Sequence, residues 1–229
     1  MTSSRGNSSP EWPGRCTYCG DTYAKNGMIR HLRACSDREA ALVAADGPEE
    51  ALYHLRVDDE WAPPFWLDLE LRGSASLKAL DSYLRSIWLE CCGHLSQFTT
   101  GGWGSRELSD DRRADEVFGP DTELVHLYDF GTTSETRIRV MDVREGAPTT
   151  EHPIALLARN ERPDVRCMEC DRPAERLCVE CMYETDDSGR LCDEHVETHP
   201  HDAYGEPLPF VNSPRTGMCG YTGPAEPPY

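Results

Sequence analysis

Lysine is nearly absent: Lys25 and Lys78 are the only two in 229 residues, so almost all positive charge is arginine. No run approaches the roughly 18 consecutive apolar residues of a membrane helix. The opening stretch MTSSRGNSSPEWPG offers no apolar segment for a secretory signal. Together these point to the cytosol and away from a membrane. The chain also lacks a Gly-x-x-x-x-Gly-Lys-Ser/Thr loop, a Gly-x-Ser-x-Gly elbow and a His-Glu-x-x-His pair. The common signatures of nucleotide hydrolysis, serine hydrolysis and zinc proteolysis are therefore missing. No His-x-Glu precedes a Cys-x-x-Cys, which removes the base-deaminase pattern.

What is present is acidic and rich in cysteine. Net charge is -18, hydrophobic residues make up 38%, and mean hydropathy is -0.62. Abundant Asp and Glu with scarce Lys is a halophile-like composition, in which an acidic surface keeps a protein dissolved in salt. The charge is uneven: residues 1–40 hold Arg5, Arg15, Lys25, Arg30, Arg33 and Arg38 against Glu11, Asp21, Asp37 and Glu39. Any nucleic-acid contact is expected at that end.

Eleven cysteines in a cytosolic chain read as metal ligands, since disulfides are rare in that compartment. The first cluster is Cys16-x-x-Cys19 followed by His31-x-x-x-Cys35. A tight knuckle presents the early pair and one helix face the later pair, so four donors converge on one ion. Tyr23 and Met28 stand where a zinc finger keeps its small core. Counting back from His31, the base-facing helix positions hold Arg30, Gly27 and Ala24, and of these only Arg30 suits a guanine. The finger therefore reads as structural or partner-binding. The second cluster is Cys167-x-x-Cys170, Cys178-x-x-Cys181, Cys192-x-x-His195, His199 and His201. Its eight ligands suit two ions, in a cross-braced or a sequential pairing, with Cys219 able to replace His199 or His201. About three zinc ions are expected in all, and complete sulfur-rich sets of this kind are structural, not catalytic.

Residues 1–14 read as a flexible tail, 15–38 as the finger, 50–160 as a core domain, 164–203 as the Cys/His module and 204–229 as a Pro-rich tail. In the core, segments 51–57, 65–73, 94–98, 123–130, 135–143 and 154–161 alternate as strands. Leu77, Leu80, Leu84, Ile87 and Trp88 mark a helix that Ser74 or Ser76 can cap. Residues 99–122 read as a long loop. Trp61, Trp66, Trp88 and Trp103 are expected in the core, and His54, His94 and His126 as framework residues. The fold class expected is α+β: a small, mostly antiparallel sheet with one main helix, flanked by zinc modules.

LKALDSYLRSIWLECCGHLSQF (77–98) and ELVHLYDFGTTSETRIRV (123–140), with its Tyr-Asp-Phe-Gly turn at 128–131, resemble the plasmid open-reading-frame-three-like family, whose members are often labelled insertion-element passengers of the resolvase type. The ending PFVNSPRTGMCGYTG (209–223) resembles that of its zinc-bearing members. Where the family's turn usually continues with an acidic residue and a tryptophan, this chain has Thr132 and Thr133–Thr136. The resemblance implies an α+β core with appended metal modules and supplies no reaction. The function expected is a zinc-binding, non-enzymatic adaptor or regulator with a protein partner. The alternative is a mobile-element protein that binds nucleic acid through residues 1–40.

Overall fold

A computed structural model of the protein describes residues 12–185, 187–200 and 203–229. Residues 1–11 of the segment read as a flexible tail, Arg5 and Glu11 among them, lie outside the described residues, as does His201. The chain begins with strands β1 (Pro13–Cys16) and β2 (Thr22–Ala24) and helices α1 (Lys25–Ala34) and α2 (Ser36–Ala44). Strands β3 (Glu50–Asp59) and β4 (Trp66–Arg72) lead to helix α3 (Leu77–Leu84), which runs on as a π-helical turn, Arg85–Leu89. Next come β5 (Ser96–Thr99), β6 (Glu107–Leu108), α4 (Ala114–Val117), β7 (Glu123–Tyr128), β8 (Ser134–Gly146) and β9 (Ile154–Asn160). The distal part holds β10 (Arg176–Leu177), α5 (Val179–Glu184), β11 (Arg190–Leu191), α6 (Asp193–Val196) and β12 (Leu208–Pro209).

Nine strands form one antiparallel sheet in the order β2-β1-β9-β4-β3-β8-β7-β5-β6, and β11-β10-β12 form a small second sheet. The expected small sheet with one main helix is therefore wrong. The architecture is sheet-dominated, with six short helices of four to ten residues among the described residues. One reason is that the finger's hairpin joins the main sheet: Gly14, Arg15 and Cys16 of β1 pair with Asn160, Arg159 and Ala158 of β9. Another is the stretch 99–122, expected as a loop, which contains β6 and α4. Segments of two and four residues are too short to leave a period.

Alternation along β3 and β4 explains both layers over the sheet. Tyr53, Leu55, Val57, Leu67, Leu69 and Leu71 join Leu77, Leu80, Leu84, Ile87 and Trp88 in the principal core. Ser76 caps α3, its hydroxyl accepting from the Ala79 N–H. The intervening residues, Arg56, Asp58, Asp68 and Glu70, are just as buried, because the finger helices cover that side. Lys25 pairs with Asp58 at 2.5 Å and Arg38 with Glu70 at 3.3 Å. Arg56 donates two bonds to Asp68 and packs 4.7 Å over the Trp66 ring. Burial pushes the Asp68 carboxyl up, but His54 and Arg56 outweigh it and hold it below its usual range. The second face is thus a buried layer of matched charge, which costs most when one partner is removed. Trp66 and Trp88 are fully buried as expected, whereas Trp61 and Trp103 are 75% and 55% exposed.

The finger approaches the sheet too closely for any side chain at Gly14. A Cβ there would lie 2.3 and 2.5 Å from Trp66 ring carbons and 2.6 Å from the Arg159 carbonyl oxygen. Gly14→Ala is expected to destabilise the protein by about 3 kcal/mol, the scale of severe overpacking. Urea unfolding checks this; a loss under about 0.5 kcal/mol, the range of a neutral surface change, contradicts the close approach.

Candidate metal centres

Cys16 ends β1, and the chain turns back at once: the Gly20 N–H donates to the Cys16 carbonyl at 3.0 Å, with Gly20 at φ +77°. That knuckle swings Cys19 over Cys16. His31 lies in α1 and Cys35 follows its last turn, so both point back at the knuckle. The four ligand atoms all lie within 4.8 Å of one another, and Cys19 Sγ is 3.4 Å from His31 Nε2. The Tyr23 ring stacks on the imidazole at 3.9 Å and fixes its plane. Met28 and Leu32, one turn before and next to His31 on α1, pack with Cys16, Cys35, Trp66, Leu157 and Ala158.

In the distal module, Cys167, Cys170, Cys192 and His195 form one group and Cys178, Cys181 and His199 another. First and third pairs share a centre, second and fourth the next, which is the cross-braced grouping. The short β10–β11 pairing sets the two centres apart. Cys170 and Cys192 sulfurs are 3.8 Å apart, and Cys167 Sγ is 3.3 Å from His195 Nδ1. Backbone N–H groups of Glu169 and Cys181 point at the sulfurs of Cys167 and Cys178, each at 3.4 Å. Cys181 Sγ sits 3.4 Å from His199 Nε2. Gly189, at φ +67°, lets the chain cross Cys178, whose carbonyl oxygen would be 2.4 Å from a Cβ there.

These distances fit zinc, whose sulfur and nitrogen ligands at about 2.3 and 2.0 Å are spaced about 3.3–3.8 Å apart in a tetrahedron. The thiols differ in acidity: burial raises Cys167, but backbone N–H groups and His195 outweigh it and bring it down to about 6. Burial and the neighbouring Cys178 sulfur push the Cys181 thiol up to about 11. Sulfurs packed this closely resist ionising together unless a cation joins them. Several Cys/His clusters thus stand at metal-binding distance, compatible with zinc.

Cys219 does not substitute for a distal histidine: it lies on the core domain beside Cys91, Cys92 and His94. His94, read as a framework residue, is therefore a missed candidate ligand. His54 and His126 do serve the framework, bonded to Asp68 at 2.9 Å and Asp81 at 2.8 Å. The signal for His94 was the Cys91-Cys92-Gly93-His94 spacing, but its fourth partner lies 125 residues away in sequence.

No protein-family model matches this chain, and no curated protein matches it. Among solved structures it is similar to a protein of unknown function, MM3350, from Methanosarcina mazei Go1. Identity is 17% over 45% of this chain, the chain spans 66% of that protein's length, and the TM-score is 0.39. At that level the likeness carries no functional inference. Among the described residues no helix is long and apolar enough to cross a membrane.

The distal module has few aliphatic side chains to fold on; Ala174, Leu177 and Leu191 are its buried ones. A buried leucine contributes about 2–3 kcal/mol, a structural zinc on the order of 10 kcal/mol. Stripping metal with a strong chelator is expected to raise hydrogen exchange across residues 164–203 to unprotected rates, while β3, β4 and β8 stay protected. Continued protection of that module without metal contradicts a metal-built fold.

Proposed function

We propose that the chain is a cytosolic, zinc-binding, non-enzymatic adaptor whose metal-held ends present rigid surface to a protein partner. One observation carries this choice over nucleic-acid binding. The basic side chains of the N-terminal end are matched by the chain's own carboxylates. Arg15 pairs with Glu161 at 3.0 Å, Lys25 with Asp58, Arg33 with Asp142 at 3.4 Å, and Arg38 with Glu70. Among the described residues only Arg30 of that set stands exposed without an ion pair, and a phosphate backbone needs several free cations for measurable affinity.

An exposed apolar surface supports a protein partner instead. Phe130 packs edge-on against Trp103 at 5.2 Å, with both rings about half exposed. Leu95, 72% exposed, accepts the Asp129 N–H next to Phe130 through its carbonyl. Aromatic side chains are enriched in protein–protein interfaces relative to the rest of a surface. In this reading residues 52 to about 157 are the plasmid open-reading-frame-three-like part of the chain, with zinc-bearing segments added at both ends.

Two measurements test it together. Binding to DNA and RNA over a salt series is expected to be absent, and a protein partner that co-purifies from the native cells is expected to be lost with Trp103→Ser at unchanged metal content. Nucleic-acid affinity that falls steeply with salt and disappears with Arg30→Ala overturns the reading.

A further inference from the structure

Three cysteines outside the finger and the distal module meet at one place. Cys91 and Cys92 follow the π-helical turn Arg85–Leu89, and Gly93, at φ +68°, doubles the chain back so that His94 returns beside the two thiols. Cys219 arrives from the C-terminal segment. All four ligand atoms lie within 4.8 Å of one another, with Cys219 Sγ 3.6 Å from His94 Nε2. The finger set meets the same limit, but here the donors come from two segments far apart in sequence.

Two independent features surround the group. The first is Arg215, fully buried behind the sulfurs. Its Nε donates to Cys91 Sγ at 3.3 Å, and Nη2 reaches Asp129 Oδ2 at 2.5 Å and Cys219 Sγ at 3.7 Å. Nη1 donates to the Thr132 carbonyl at 2.8 Å and to Ser134 Oγ at 3.0 Å. Asp129 already neutralises this buried guanidinium, and its remaining N–H groups aimed at Cys91 and Cys219 are suited to thiolates, the form in which sulfur binds zinc. The second is backbone strain. Cys219 at φ +51° and Asp129 at φ +63° both occupy the left-handed region, which a cysteine seldom adopts, and both are at this site.

We propose that Cys91, Cys92, His94 and Cys219 bind a fourth zinc ion, which latches the C-terminal segment, and with it the distal module, onto the core. This rests on the reading that the chain's Cys/His sets hold zinc. A disulfide would use only two of the three sulfurs, whereas a zinc ion uses all three together with His94, whose Nε2 also lies 3.6 Å from Asp129 Oδ2. The latch follows from connectivity. β12 pairs with β10 inside the distal module, and the chain then inserts into the core. Ser213 donates its hydroxyl to the Trp88 carbonyl at 2.6 Å, Arg215 enters, and Cys219 closes the run on the ion.

The fourth site differs from the others in access. Cys92 and Cys219 are exposed, whereas Cys16, Cys35, Cys178 and Cys181 are 0%, 5%, 3% and 1% exposed. Its ion meets solvent and chelator first. Losing it frees the latch while the remaining centres keep their metal, so docking of the distal module responds to zinc supply.

Native mass spectrometry of the full chain loaded with Zn2+ alone tests this. Wild type is expected to carry four ions and Cys219→Ser three, one per remaining Cys/His group. A limiting chelator takes one ion quickly from wild type and none quickly from the variant. Hydrogen exchange over residues 208–217 rises about tenfold or more in the variant, as for a locally released segment. Thiol labelling of wild type needs no variant: Cys92 and Cys219, though exposed, stay unlabelled until the first ion leaves. Three ions in both proteins overturns the fourth site and leaves the zinc reading standing. So does labelling of Cys92 and Cys219 at free-thiol rates, or their recovery as a disulfide. Unchanged exchange at 208–217 overturns the latch, and no ions in either protein overturns the zinc reading itself.

Discussion

Ionised sulfurs held at van der Waals distance repel one another, and in a partly buried site little water remains to screen them. A divalent cation reverses the sign of that interaction: the same crowding that raises the Cys181 thiol becomes a preformed coordination shell. The finger and the distal module both bring Cys and His donors to metal-binding distance. In the distal module the cysteines are themselves the cluster, with Cys178 and Cys181 packing on Leu191 and with Met168 and Val196 at the margin. Where side chains cannot supply a core, ligand geometry decides the path of the backbone.

The N-terminal finger follows the same condition but has a second support. Its hairpin extends the main sheet through β9, and its helix lies over a layer of buried ion pairs centred on Asp68 and Glu70. A charged interlayer is a poor source of net stability but a strict source of register, since each displaced partner leaves an uncompensated charge. The finger is thereby a fixed layer of the sheet. Of its cations, Lys25 and Arg38 are largely buried in that layer, while Arg15, Arg30 and Arg33 remain exposed.

Much of the chemistry was legible in the sequence because it is local. Cys16, Cys19, His31 and Cys35 lie within one hairpin and helix, and the distal pairs repeat at two-residue gaps, so spacing alone marks the pairs, though which distal pairs share a centre emerged only from the fold. The strands of the core were legible for the same reason, through alternation such as Leu67, Leu69 and Leu71 against Trp66, Asp68 and Glu70. What escaped depends on distant pairing. The extent of the sheet rests on β1 meeting β9, which no periodicity in either strand announces. Cys219 beside His94 is a contact that chain folding alone creates. Trp61 and Trp103 were misplaced because a tryptophan's size argues for burial while its place on a loop argues against it.

Metal at these clusters would account for the ordered packing of short helices and two-residue strands around one large sheet. Zinc K-edge X-ray absorption of the native protein tests this most directly. The expected spectrum is four-coordinate zinc with a sulfur-dominated shell near ~2.3 Å and a minority of nitrogen near ~2.0 Å. An oxygen-dominated shell, or folded protein without zinc, contradicts metal-built ends.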